Sequence, residues 1–272
     1  MLERNFLGAL WHGAFLALGV AFTQPETVIA AYVAELTGST VWVGGLSTVL
    51  IVANSLPQIF VARWIEPRPR KLPFLLLAIY LRVASWAVLA WLIFAIGSDR
   101  PDLLAWALVG LLAIFYAGGG LGNVPYVDII GKIIPSTRRG AFFGGRQALS
   151  APLAVGAALL ARRILASVSY PNNYALLFGL AAASLFIASL GFLAVREPPR
   201  SKSDGQVRRW GEYRAQFFET AKRLRALVTV QLLTGFSLMA MPFYIVYARQ
   251  ELGASPEAGG WFILAQVLGG VL

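Results

Sequence analysis

Apolar residues run in long blocks along the chain, and the polar residues between them are few and clustered. Blocks at 6–34, 43–65, 73–97, 103–134, 140–165, 174–195 and 226–248 each extend for about 20 residues or more, enough for a helix rising 1.5 Å per residue to cross a hydrocarbon layer of roughly 30 Å. They predict seven spanning helices. A further block at 258–272 gives only about 22 Å of helix, so the pattern predicts a chain that stops within an eighth span. The turns at 36–42, 98–102, 167–173 and 249–257 are short, those at 62–71 and 134–146 are rich in cations, and 196–225 is a long polar linker. Within that linker Trp210, Tyr213, Phe217, Phe218, Ala221 and Leu224 recur at spacings of three or four, which predicts an amphipathic helix. It lies either on lipid headgroups or over the ends of the spans. A secretory signal peptide is the rival interpretation of the first block, but its apolar part continues past the usual length into Pro25 and Glu26 without a small-residue cleavage site.

Composition supports a polytopic membrane protein. Of 272 residues 58% are hydrophobic and 13% charged, against about 25% charged in soluble domains. The net charge of +10 raises nucleic-acid binding, but the cations sit in the turns between apolar spans, which is the arrangement that sets membrane orientation. Alternate turns carry them. Arg4, the cations at 63–71 (Arg63, Arg68, Arg70, Lys71), those at 132–146 (Lys132, Arg138, Arg139, Arg146) and nine in the linker fall on one side, and Arg100, Arg162, Arg163 and Arg249 on the other. The excess predicts a cytoplasmic N-terminus. Arg162 and Arg163 oppose the rule and are expected to snorkel to the outer headgroups.

Enzymatic constellations are missing from the sequence. With no cysteine and the single histidine His12, no thiolate nucleophile or multi-histidine metal centre can form. There is no G-x-S-x-G. Gly118, Gly119, Gly120 and Gly122 suggest a dinucleotide fingerprint, but no strand precedes them and the sixth position is Asn123, so close helix packing or bending is the better explanation. Ionisable residues inside the spans carry the information, because each costs about 2.5 to 3.5 kcal/mol at a helix centre and persists where it is paired or lines a water-filled path. Glu26, Arg82 and Asp128 qualify. Glu26 and Arg82 are expected to face one aqueous cavity, Arg82 as a fixed positive charge favouring an anionic or polar solute and Glu26 as a protonation site. A static ion pair between spans one and three is the alternative. Gln24, Asn54, Gln58, Asn123 and Gln231 supply hydrogen bonds to a solute or between helices. His12 is expected to be packed rather than to carry protons.

The basic turn A-R-W-I-E-P-R-P-R-K at 62–71 is similar to the G-x-x-x-D-R-x-G-R-K loop between helices two and three of the major facilitator superfamily. Ala62 stands for the first glycine, Glu66 for the aspartate, Pro69 for the second glycine, and Arg70 and Lys71 at the paired cations, with Pro67 where that family often has a cation. The turn P-S-T-R-R-G, followed by Phe142 and Gly144, resembles the family's loop between helices four and five. R-N-F-L-G near the N-terminus, P-E-T at 25–27 and L-P-Q at 56–58 resemble a bacterial branch. The resemblance implies two six-helix halves built of inverted three-helix repeats around a midplane site. It also implies gating contacts by Glu66, Arg70, Lys71, Asp128 and Arg139, with Asp128 paired to Arg70 as a conformational latch.

The expected fold class is therefore an all-α membrane protein with a six-helix N-terminal domain at 1–195, a cytoplasmic linker at 196–225 and an incomplete C-terminal domain at 226–272. The expected function is secondary active transport of a small solute by alternating access in a bacterial inner membrane, coupled to a proton or ion, without enzyme activity, cofactor or nucleic-acid partner. A non-transporting scaffold or lipid-handling protein is the alternative.

Overall fold

In a computed structural model, which describes residues 2–65, 68–199 and 210–269, the apolar blocks become helices whose ends follow local chemistry. Helix α1 (Leu2–Phe22) stops ahead of Pro25, which has no N–H and whose ring would meet the carbonyl four residues back. The chain then makes a wide π-type turn over Pro25–Ile29, in which the Gln24 carbonyl accepts the amides of Thr27, Val28 and Ile29 at 2.9–3.3 Å, and resumes as α2 (Ala30–Thr37). The single continuous helix expected over 6–34 is thus broken by its own proline. Gly38, at φ +64°, ends α2 and leaves only Gly38 and Ser39 before α3 (Thr40–Ile65), a tighter turn than the one expected at 36–42. Helices α4 (Leu72–Ile96), α5 (Pro101–Ile133), α6 (Arg139–Ser167) and α7 (Asn172–Ala194) match the expected spans closely.

The linker contains α8 (Trp210–Arg223), the amphipathic helix that the spacing predicts, and Trp210 stacks on Phe60 of α3 at 5.9 Å. The seventh span, expected to be continuous over 226–248, is two helices, α9 (Arg225–Leu238) and α10 (Met241–Gln250), because Pro242 starts a new helix rather than continuing the old one. Helix α11 (Ala258–Gly269) closes the described chain. Glu66, part of the linker at 200–209 and the last residues 270–272 lie outside the described residues. Among those described, seven helical segments are long and apolar enough to cross a membrane. The fold is an all-α membrane bundle.

Successive spans alternate in direction, so the bundle has a linker end, where α1 begins and α7 ends, and a far end, where the turns at 38–39, 97–100 and 168–171 lie. Helix α1 packs on α6 and α7, α4 on α5 and α7, and α3 on α5. Lipid removes most of the hydrophobic drive for helix pairing, so close packing of small residues carries these contacts. Gly8 and Gly191 cross backbone to backbone, each occupying the place where the other's Cβ would stand. Gly120 of α5 does the same against the Asn54 carbonyl of α3, which confirms close packing as the use of that glycine cluster.

Two apolar clusters fill the bundle. One, toward the far end, is built on Trp86, Phe115, Phe178 and Tyr32, with Trp86 against Phe178 and Phe115 at 4.8 and 5.0 Å between ring centroids. The other, toward the linker end, holds Leu75, Ile79, Ile130, Phe142 and Phe192. The helices after the linker pack on the earlier ones through α11 on α6 and the 25–29 turn and through α10 on that turn, α2 and α3. Helix α9 is exposed along its described length.

Candidate functional site

Where the two apolar clusters meet, polar side chains from five helices converge. A cavity of about 430 Å³ is bounded by His12 of α1, Asn54 and Gln58 of α3, Arg82 of α4, Asn123 and Tyr126 of α5, and Arg146 of α6. Every residue lining it belongs to the first six spans. Counted from the linker ends of their helices, Arg82 lies about 15 Å and Arg146 about 10 Å in. The cavity therefore occupies the linker-end half of the bundle and reaches toward its middle. Gln58 Nε2 donates to the Asn54 backbone carbonyl at 3.0 Å, and Asn123 Nδ2 to Gln58 Oε1 at 3.3 Å, so the Gln58 and Asn123 amides are linked beside Asn54 along one wall. Arg82 lies over the Phe115 ring at 4.4 Å, and its Nε is buried without a hydrogen-bond partner. Arg146 Nη1 donates to the Tyr126 hydroxyl at 2.9 Å.

Of the residues singled out in sequence, Asn54, Gln58, Arg82 and Asn123 come together here. Glu26 and Gln24 do not. Glu26 sits in the wide turn after Pro25, where its carboxylate accepts the Gln24 amide at 2.9 Å; it does not line this cavity and makes no ion pair with Arg82. Tyr116 of α5 stands within electrostatic range of both. Gln24 lines a second cavity of about 240 Å³, together with Gln147 and Ser150 of α6 and Gln266 of α11. The Gln266 Oε1 is buried and unpartnered. His12 is packed as expected: it is buried, its Nδ1 donates to the Ala188 carbonyl at 3.1 Å and its ring meets Phe192 edge-on at 4.6 Å. Gln231 lies on the exposed helix α9.

The latch expected between Asp128 and Arg70 has a different membership. Asp128 pairs with Lys71 at 3.1 Å and with Lys132 at 2.7 Å, while Arg70 is exposed. Arg70 and Lys71 are adjacent, and Lys71 at the start of α4 is the one turned into the crevice between α4 and α5. Glu197 completes the network. One of its oxygens takes Lys132 at 2.8 Å, and the other accepts the backbone amides of Lys71 and Leu72 at 2.7 and 2.8 Å, capping α4 with a negative charge. All four groups belong to the first six spans and their flanking turns, so this network ties those spans to one another. Arg139 is also local, donating to the Gly131 and Ile134 carbonyls that end α5.

At the far end α10 and α11 are tied to the earlier helices by ion pairs that the sequence did not signal. Glu35 of α2 pairs with Arg249 of α10 at 3.0 Å, and the Tyr174 hydroxyl of α7 joins both, donating to Glu35 at 3.2 Å and accepting from Arg249 at 3.0 Å. Arg162, expected to snorkel to headgroups, instead pairs with Glu257 at 3.7 Å and lies over the Trp261 ring at 4.5 Å. Carboxylate and aromatic partners across the interface hold it more specifically than solvent would. Arg146 was also hidden, because a cation near a basic turn looks like part of the turn. Its position about two helical turns into the fifth span was the available signal. Among the described residues no three His, Cys, Asp or Glu side chains gather to hold a metal ion.

No protein-family model and no curated protein matches the chain. Among solved structures it is similar to a D-xylose-proton symporter, with a TM-score of 0.58 and 16% sequence identity, covering 99% of this chain and 66% of that one. The chain thus spans 66% of the length of that symporter. It is a multi-pass membrane protein whose helices are arranged as in that transporter.

Proposed function

We propose that the chain is a secondary active transporter of a small solute, working by alternating access and coupled to a proton or another ion. The observation that carries this is the polar cavity in the linker-end half of an apolar bundle, set against ion pairs that join the two halves at the far end. A polar site at membrane depth with a seal on one side of it is what one state of an alternating cycle requires. The fold shared with a proton symporter supports the same function. In this proposal the N-terminus and the linker face the cytoplasm of a bacterial cell, Glu26 is the protonation site, and rocking of the second half breaks the far-end contacts.

Reconstitution tests it. Purified protein in liposomes loaded with a pH-sensitive dye should move protons when one member of a panel of neutral sugars, sugar acids and hydroxy acids is added. Glu26→Gln should abolish proton movement and retain solute exchange. Neither flux nor exchange with any solute would overturn the transporter assignment.

A further inference from the structure

The 430 Å³ cavity holds two arginines and a histidine, and among the described residues no carboxylate lines it. That imbalance is unusual inside a membrane bundle, where an ionised side chain persists when paired or when it serves a path for solute. The carboxylates inside the first spans are engaged elsewhere. Asp128 takes Lys71 and Lys132, Glu197 takes Lys132 and the start of α4, and Glu26 takes the Gln24 amide, while Glu35 at the far end takes Arg249. Among the described residues none lies within ion-pair distance of Arg82 or Arg146, whose close neighbours are the Phe115 ring and the Tyr126 hydroxyl.

Both guanidinium groups are nevertheless held in place. Arg146 lies along Gly13, where a Cβ would come within 2.8–2.9 Å of its Cγ, Cδ and Nε, so a larger residue there would push the side chain off its path across α1 into the cavity. Arg82 lies along Gly118, where a Cβ would come within 3.0 Å of its Cγ. His12 is within electrostatic range of both. Positioned cations without a carboxylate partner among the described residues, one of them with a buried N–H left over, offer a place for an anion.

We infer that this cavity binds a small organic anion, a carboxylate or phosphate ester carrying hydroxyl groups, with Arg82 and Arg146 as its charge anchors and the Asn54, Gln58 and Asn123 amides contacting its neutral part. Guanidinium groups match carboxylate and phosphate oxygens with paired hydrogen bonds. The volume falls within the roughly 300–1,000 Å³ of small-molecule sites. A lipid headgroup phosphate shares this chemistry, and the proposal commits to the soluble anion. It deepens the transporter assignment but is read by binding alone, so each can fail without the other.

The test is thermal stabilisation of the purified protein in nanodiscs by matched pairs: gluconate against glucose, galacturonate against galactose, glycerol 3-phosphate against glycerol, with inorganic phosphate alongside. At least one organic anion should raise the melting temperature where its neutral partner does not. Arg82→Gln and Arg146→Gln should each weaken that binding about ten- to a hundredfold, whereas Arg68→Gln, on the exposed turn, should leave it unchanged. Without ligand, Arg82→Met should melt at or above the parent temperature, because it removes an uncompensated charge. A large fall in melting temperature without ligand would mark the arginine as structural and overturn the inference. So would an absence of any anion preference, equal stabilisation by inorganic phosphate alone, or loss of binding when phosphatidylglycerol replaces phosphatidylcholine, which would assign the site to lipid. Binding without flux in liposomes would refute transport and leave the anion site standing. Flux of neutral sugars only would do the reverse.

Discussion

Arg249 Nη1 lies 3.0 Å from Glu35 Oε2, a salt bridge that joins α10 to α2, with the Tyr174 hydroxyl bonded to both partners. A neutral hydroxyl between opposite charges fixes their geometry without adding charge of its own, so the three groups act as one contact. Loss of any member should loosen the far end. In a chain without native cysteines, a single cysteine at the buried Ala34, beside this contact, should be labelled faster by a water-soluble maleimide once Arg249→Met or Glu35→Gln is introduced. The double substitution should be little worse than either single one, with a coupling of about 0.5 to 3 kcal/mol. Additive effects would show that the two residues do not seal the far end together.

At the linker end the charges alternate as Lys71, Asp128, Lys132 and Glu197, and removing one strands its neighbours. Glu197→Ala is the severest case, because it leaves two backbone amides at the start of α4 without their acceptor and takes from Lys132 one of its two carboxylate partners. It should cost about 3 to 5 kcal/mol of stability. Arg70→Ala should cost no more than about 0.5 kcal/mol, as for other exposed positions. Melting temperatures of the two variants check this, and equal losses would restore Arg70 to the network.

Long apolar runs and basic turns made the first six spans readable to within a few residues, since both features are imposed by the bilayer along the whole length of a helix. The breaks at Pro25 and before Pro242 were less visible, because a proline inside an apolar run can bend a helix or end it and the neighbouring helices decide which. Arg82 was legible as a lone charge in a hydrophobic span. Arg146 was not, since it follows Arg138 and Arg139 closely enough to look like turn. Glu35, Arg249, Arg162 and Glu257 each sit at the end of an element, where a charge is unremarkable until the partner's position is known. Asp128 was identified, but adjacent cations offered it two partners and only the direction of the backbone chooses between them.

Gly120 places a stricter limit on its position than its glycine neighbours do, because a Cβ there would run into the Asn54 carbonyl. Gly120→Ala should therefore push α5 away from α3, at a cost of about 1 to 3 kcal/mol from overpacking. It should also disturb the amide wall of the cavity, since Gln58 bonds that same carbonyl. Gly45→Ala is the control, with nothing within 4 Å of its Cβ. It should be neutral or mildly stabilising. Comparable melting temperatures for both alanine variants would contradict the close approach of α3 and α5.

Orientation in the membrane rests on the distribution of cations, and the structure changes one member of that count. Arg146 lines the cavity instead of the turn at 134–146, so it no longer contributes to the positive side. The excess survives without it, because the turn at 62–71 and the linker keep their cations. Single cysteines at Ser136 and Ser98 report on opposite ends of the bundle, both at exposed positions. In intact cells an impermeant maleimide should label Ser98→Cys and spare Ser136→Cys, and permeabilised cells should show both. The reverse pattern would place the N-terminus outside the cell and, with it, the far-end Glu35–Arg249 contact on the cytoplasmic side.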